Sequence, residues 1–86
     1  QNSTGLLMKN DTGDKVKLLQ HRLNILGNQL AEDGIWGVKT DQAVRNFQYN
    51  YGLTVDGIVG PKTQEKLISE AVVASAKTIS DYMLNN

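Results

Sequence analysis

The apolar residues of this chain recur with helical spacing in three stretches. In the first stretch they fall at positions i, i+3, i+7 and i+10, which lie on one face of a helix. These residues are Val16, Leu19, Leu23 and Leu26. We therefore predict a first helix from about Gly13 to Leu26, with Asp11 or Thr12 as its N-cap and Gly27 ending it.

The second and third stretches predict two more helices. The second helix should run from about Val38 to Tyr51 and end before Gly52, with Ala43, Val44, Phe47 and Tyr51 facing inward. The third begins at Pro61, because proline is tolerated at the first helical position. The helical pattern continues to about Leu84, either as one long helix or as this helix followed by a fourth. Its predicted inward residues are Leu67, Ile68, Ala71 and Val72.

A segment of eight residues is repeated ahead of the second and third helices. Residues 33–40, Asp-Gly-Ile-Trp-Gly-Val-Lys-Thr, return 23 positions later as residues 56–63, Asp-Gly-Ile-Val-Gly-Pro-Lys-Thr. A fixed period indicates that one local structure is built twice. Each copy is typical of a tight turn followed by a buried aliphatic residue, Ile35 in the first copy, and then a helix start. Thr40 and Thr63 should bond the backbone of that first helical turn.

The predicted fold class is all-α, a small three-helix bundle with two repeated turn-helix units and an extended C-terminal helix. Its 86 residues make one small domain. We assign residues 1–5 to the end of a linker, residues 6–69 to the domain and residues 70–86 to a C-terminal helical extension. Nine basic and nine acidic side chains give no net charge, which argues against nucleic acid or membrane as partners.

Neither metal binding nor catalysis is supported by the residue spacing. If Gly34 or Gly57 held position 6 of a calcium loop, Thr40 or Thr63 would stand where a bidentate acid is required. The chain has no cysteine, and its single histidine, His21, should face solvent. We therefore predict no metal, no cofactor and no catalytic residue, although a small hydrolase remains an alternative.

Several motifs follow one another in a fixed order along residues 6–69. They are Val-Lys-Leu-Leu-Gln at 16–20, Leu-Gly at 26–27, the first copy of the repeat, Ala-Val at 43–44, Phe-Gln at 47–48, Gly-Leu-Thr-Val at 52–55, the second copy, and Leu67. In this order and spacing the chain resembles the type 1 peptidoglycan-binding domain, a three-helix module that accompanies bacterial and phage cell-wall hydrolases. Gln64 departs from the aromatic residue that the family often has there, and residues from 70 onward lie outside the family pattern.

The resemblance implies a non-catalytic module that binds peptidoglycan and targets a linked hydrolase, such as a lysin, an amidase or a spore-cortex enzyme, to the bacterial cell wall. Suitable groups for sugars and stem peptides lie on the first copy of the repeat and on the outward face of the second helix. The candidate binding residues are Asp33, Gly34, Ile35, Trp36, Gln42, Arg45, Asn46 and Tyr49. For Trp36, core packing and ligand contact both remain open. We expect the first copy to contact the wall more than the second.

One alternative is a protein-interaction function. An apolar strip along the C-terminal helix could form a homodimer, or could cover Leu18 and Ile25 in the same molecule. The strip consists of Ile68, Val72, Ile79 and Met83.

Overall fold

Three helices form where apolar residues recur with helical spacing. The computed structural model describes the backbone of residues 5–84 and the side chains of residues 5–77. The helices are α1, Asp14–Ile25, α2, Val38–Asn50, and α3, Pro61–Leu84. The all-α prediction is confirmed, and each helix end lies within one residue of its predicted position. Within residues 5–84, no helix combines the length and the apolar character needed to cross a bilayer.

The core is built from all three helices and from one residue of each intervening loop. Loop 1, residues 26–37, contributes Trp36, and loop 2, residues 51–60, contributes Val59. The buried cluster consists of Val16, Leu19, Leu23, Trp36, Ala43, Val44, Phe47, Val59 and Leu67. Residues 36 and 59 occupy equivalent positions in the two copies of the repeat, so both copies insert a side chain into the same core.

Helix α3 buries a narrower stripe than predicted. Leu67 and Ala71 are buried, but Ile68 is 37% exposed and Val72 is 62% exposed, so the inward assignment of these two residues was wrong. The buried residues are spaced by four because α3 packs mainly on α1, and one neighbour covers only one line of side chains. Leu18 on α1 is also exposed. Cover of Leu18 by the C-terminal tail was one of two arrangements left open, and the part of that tail beyond residue 77 lies outside the described side chains.

Tyr51 is a second departure from the predicted core. It was assigned to the inward face of α2, yet the residue is exposed and caps the end of that helix. Its ring centroid lies 4.7 Å from that of Phe47, and Lys66 Nζ lies 5.2 Å from the Tyr51 centroid. Tyr51 thus packs with one face toward the core and remains available to solvent elsewhere.

The segment before α1 pairs with both loops. Leu7 and Val59 exchange two backbone hydrogen bonds, of 3.1 and 2.8 Å. Further along the segment, the Trp36 N–H donates to the Asp11 carbonyl at 3.0 Å. The Leu7 side chain also packs against the buried core. These bonds join loop 1 and loop 2 through one short stretch of chain.

This pairing also changes how α1 begins. The N-cap is Gly13, with no side-chain cap, so the prediction of Asp11 or Thr12 was wrong. The Asp11 carboxylate instead accepts the Met8 N–H at 2.9 Å. Gly13 N–H donates to the Gly34 carbonyl at 2.9 Å, and a Cβ on Gly34, whose φ is +73°, would meet the Gly13 oxygen at 2.9 Å. Glycine at 34 is therefore required both by its backbone conformation and by this close approach.

Candidate functional site

A buried glutamine on α1 supports loop 1 from inside. Gln20 is 1% exposed, and its Nε2 lies 3.1 Å from Asp33 Oδ1, 2.9 Å from the Ile35 carbonyl and 3.0 Å from Thr40 Oγ1. Its Oε1 accepts the Gly34 N–H at 2.9 Å. A neutral amide is needed here, because the same side chain must donate and accept within the core.

A second glutamine, on α2, supports loop 2 in the same way. Gln48 Nε2 lies 3.0 Å from Asp56 Oδ1, 3.0 Å from the Ile58 carbonyl and 3.3 Å from Thr63 Oγ1. Its Oε1 accepts the Gly57 N–H at 3.0 Å. The repeated sequence therefore corresponds to a repeated set of hydrogen bonds, and each set joins a loop to the helix before it.

Thr40 and Thr63 take part in these two sets of glutamine hydrogen bonds, whereas they were predicted to bond the backbone of the first helical turn. Thr40 and Thr63 are buried, and each hydroxyl accepts from a glutamine amide of the preceding helix. The glutamines themselves were not predicted as structural residues. A signal was present, because Val-x-x-apolar-Gln occurs at 16–20 and again at 44–48. It was obscured because glutamine precedes the aspartate by 13 residues in one copy and by 8 in the other.

Of the two roles considered for Trp36, the structure shows core packing. Trp36 is 1% exposed, and its indole N–H donates to Asp41 Oδ1 at 3.2 Å. Its neighbour Ile35, predicted to be buried, is 58% exposed. Residue 36 turns inward because its backbone pairs with Asp11, and Ile35 then faces solvent on the opposite side of the extended segment.

Arg45, predicted on the outward face of α2, lies against loop 2. Its Nε donates to Asp41 Oδ2 at 3.0 Å, so Asp41 joins the Trp36 indole to this guanidinium. A Cβ on Gly57 would come within 2.6 Å of Arg45 Nη2. Glycine at 57, with φ of +71°, leaves the space that the guanidinium occupies. Arg45 is thus a contact between α2 and the second copy of the repeat.

The other predicted residues of α2 are exposed. Tyr49 is 77% exposed, and Gln42 donates a long hydrogen bond of 3.4 Å to Asn46. Asn46 also borders a polar cavity of about 480 Å³ between α2 and the end of α1, together with Asn28, Asn50 and Tyr51. The eight predicted residues therefore do not line a single cavity. Asp33 and Ile35 lie in loop 1, Asn46 borders the polar cavity, and Trp36 lies in the core.

Each copy of the repeat also borders a groove. Groove 1, of about 250 Å³, is lined by residues 30, 31, 33, 35 and 37–40 together with Gln20. Groove 2, of about 530 Å³, is lined by residues 53, 54, 56, 58 and 60–63 together with Leu6. Every loop residue of groove 1 has its counterpart in groove 2 at a position 23 residues later. The repeat thus produces two surface depressions of the same design and different size.

The loop 1 carboxylate is stabilised in its charged form. The Ile35 N–H, followed by the Gln20 amide, lowers the pKa of Asp33 below its ordinary value. Since the folded pKa is the lower one, the unfolded chain binds the proton more readily than the folded chain. Asp33 therefore stabilises the fold above the ordinary carboxyl range, and this contribution is lost as pH falls through its folded pKa.

A neighbouring acid pairs with the only histidine. Hydrogen bonds from Asn24 and then from His21 lower the pKa of Glu32, and the His21 Nδ1 lies 3.1 Å from Glu32 Oε1. His21 is exposed, as predicted. The pH dependence has the same sign as for Asp33. Among the described side chains, no three acidic, histidine or cysteine residues are grouped as metal ligands would be.

Comparison with known proteins decides the family. The family model described as a putative peptidoglycan binding domain matches residues 12–67. The chain belongs to this family. The resemblance inferred from the order of the motifs is confirmed, and the matched residues include both glutamines, both copies of the repeat and Leu67.

Relatives of this peptidoglycan-binding domain occur within larger enzymes. The spore cortex-lytic enzyme of Halalkalibacterium halodurans is 49% identical over 57 residues, which are 65% of this chain and 17% of that enzyme. The SleB N-terminal domain matches with a TM-score of 0.76 at 36% identity, covering 83% of this chain and 99% of that structure. The Burkholderia AP3 phage endolysin matches with a TM-score of 0.73 at 42% identity, covering 76% of this chain and 25% of the endolysin.

Replacing the buried amide by a carboxylate tests the role assigned to the glutamines. In Gln20→Glu the new carboxylate would face Asp33 Oδ1 and the Ile35 carbonyl without a proton to donate. We expect the free energy of unfolding at pH 7 to fall by about 3 kcal/mol. Gln42→Glu, the same change at an exposed position, should stay within about 0.5 kcal/mol. Urea unfolding measures both, and equal effects would contradict the assignment.

Proposed function

We propose that the chain is a non-catalytic module that binds peptidoglycan and holds a covalently linked cell-wall hydrolase at its substrate. The observation that carries the proposal is the family match over residues 12–67, within a chain that spans only 17% of the spore cortex-lytic enzyme it resembles. The module would act at the bacterial cell wall. We keep residues 6–69 as the binding unit and residues 70–86 as an extension.

The proposed contact surface combines exposed apolar and amide groups around α2 and loop 1. The Tyr49 ring and the Ile35 side chain are exposed and suit the C–H faces of sugars. The cavity bordered by Asn28, Asn46 and Asn50 offers amide donors and acceptors to acetamido groups. Trp36 supports this surface from beneath rather than contacting sugar, since its indole is held by Asp41.

A module of this kind does not need a strong site. Attachment to a hydrolase makes the second binding event intramolecular, so even weak contact with an insoluble polymer raises the local concentration of the enzyme at its substrate. The neutral charge balance of the chain fits a polymer that is recognised by hydrogen bonds and apolar contacts rather than through a long-range field.

Co-sedimentation with purified sacculi tests the proposal. We expect the chain to sediment with peptidoglycan and to remain in the supernatant with chitin or cellulose. A chelator should leave binding unchanged. Failure to sediment with sacculi would refute wall binding, loss of binding on chelation would point to a metal site, and a fall in the turbidity of the sacculi would point to a hydrolase.

The same assay tests the contact surface. Tyr49→Ala should weaken binding by about three- to tenfold, because one aromatic contact with a sugar face would be lost. Val73→Ala removes apolar area at a similarly exposed position on α3 and should leave binding unchanged. Thermal unfolding of both variants checks that the fold is retained. Unchanged binding by Tyr49→Ala would place the site elsewhere.

Self-association through α3 is a second candidate function. Val72 and Val73 are 62% and 59% exposed, and they directly follow Ala71, the last buried apolar residue on this helix within the described side chains. Dimerisation through this surface would remove its apolar area from contact with water. Ile79 and Met83, predicted in the same strip, lie outside the described side chains.

Sedimentation velocity over a range of protein concentrations tests this second role. A homodimer would give a mass that rises with concentration, and Val72→Asp should return it to the monomer value. Lys77→Asp, a charge change at another exposed position of α3, should have no such effect. A monomer mass at every concentration would exclude dimerisation by this strip.

A further inference from the structure

The two copies of the repeat border equivalent grooves, but only groove 2 has the size of a ligand site. Ligand pockets commonly enclose about 300–1,000 Å³. Groove 2 falls inside that range at about 530 Å³, and groove 1 falls below it at about 250 Å³. The difference has a structural cause. Pairing of Leu7 with Val59 brings Leu6 to the edge of groove 2, whereas the part of the segment that pairs with loop 1 adds no lining residue to groove 1.

The lining of groove 2 is mainly apolar, with one cation, Lys62, that has no ion-pair partner among the described side chains. Leu6, Leu53, Ile58 and Pro61 supply aliphatic surface. No ion pair joins Lys62 to another side chain in residues 5–77. A cation in the first turn also opposes the helix dipole, so Lys62 does not serve the stability of α3. Lys39 stands at the equivalent position and also forms no ion pair with a described side chain, so the size and apolar lining of groove 2 are what distinguish Lys62.

The acid in the same groove is already engaged. Asp56 Oδ1 accepts hydrogen bonds from the Gln48 amide at 3.0 Å and from the Ile58 N–H at 2.9 Å. Hydrogen bonds inside the fold therefore partly stabilise the negative charge of Asp56. No described side chain forms an ion pair with Lys62. The groove is complementary to a ligand that combines small aliphatic groups with a free carboxylate.

We propose that groove 2 binds the stem peptide of peptidoglycan, with a carboxylate on Lys62 and alanine methyl groups on the aliphatic lining. The inference rests on the proposed wall-binding function and names the part of the polymer that this groove takes. It assigns the peptide to the second copy of the repeat, whereas the first copy was expected to make more contact with the wall. A neutral glycan strand would not use the charge of Lys62.

Titration with a synthetic stem peptide tests the assignment. The probes are L-alanyl-γ-D-glutamyl-L-lysyl-D-alanine and the same peptide amidated at its carboxyl groups, added to the whole chain in a calorimeter. The free acid should bind more tightly than the amide. Lys62→Glu should weaken binding of the free acid by about tenfold. Lys39→Glu, the same change at the equivalent position of groove 1, should alter it by less than about twofold.

The two lysine variants are well matched as folding controls. Both residues are exposed and both stand second in their helix, where an acid is more favourable than a base. A steric pair provides an independent readout. Thr54→Trp should fill groove 2 and abolish peptide binding, while Ala31→Trp at the equivalent position of groove 1 should leave it intact. Equal losses in the two members of either pair would overturn the assignment.

Sedimentation with sacculi distinguishes failure of the groove 2 assignment from failure of the proposed wall-binding function on which it rests. If the chain sediments with sacculi and with peptide-free glycan strands equally well, and does not bind the tetrapeptide, the groove 2 assignment is wrong and wall binding stands. If the chain does not sediment with intact sacculi, the proposed function itself is wrong. Sedimentation with intact sacculi that is lost in Lys62→Glu but not in Lys39→Glu supports both.

Discussion

The fold depends on two buried glutamine amides, each placed behind an Asp-Gly turn. A tight turn exposes backbone N–H and carbonyl groups on its inner side, and burying them without partners would cost free energy. Gln20 and Gln48 supply those partners, since one amide accepts the glycine N–H and donates toward the isoleucine carbonyl and the threonine hydroxyl. Each helix thereby fixes the loop that follows it and, through the threonine, the first turn of the next helix.

Much else in the molecule follows from this arrangement. With both turns held from inside, residues 36 and 59 can pair their backbones with the N-terminal segment and bury their side chains in a common core. The residues just before them, Ile35 and Ile58, are left nearer the surface. The aspartate and threonine side chains that line both grooves belong to the glutamine hydrogen bonds, whereas the exposed positions 31 and 54 do not, and their side chains can differ.

The helices and the repeat could be predicted from sequence because their signals are local. Helical spacing, Pro61 at a helix start and glycine after a helix end are read within one turn of chain. The errors arose where a partner is distant in sequence. Gln20 meets Asp33 across 13 residues, and Gly13 meets Gly34 across α1 and most of loop 1, so neither the glutamine bonds nor the true N-cap has a periodic signature. Burial of Trp36 rather than Ile35 likewise depends on strand-like pairing with Asp11.

The two copies of the repeat share their internal hydrogen bonds but differ at the surface, where a ligand would bind. Both keep the aspartate, glycine, isoleucine and threonine that the glutamine bonds require, and both keep a lysine that they do not require. The residues around this common set differ between the copies. In the second copy, Arg45 fills the space above Gly57 and Leu6 extends groove 2. In the first copy, the backbone of Gly13 covers Gly34. Duplication of a turn supported from within thus gives two surfaces of shared backbone geometry, and the side chains around them make the two grooves differ in size.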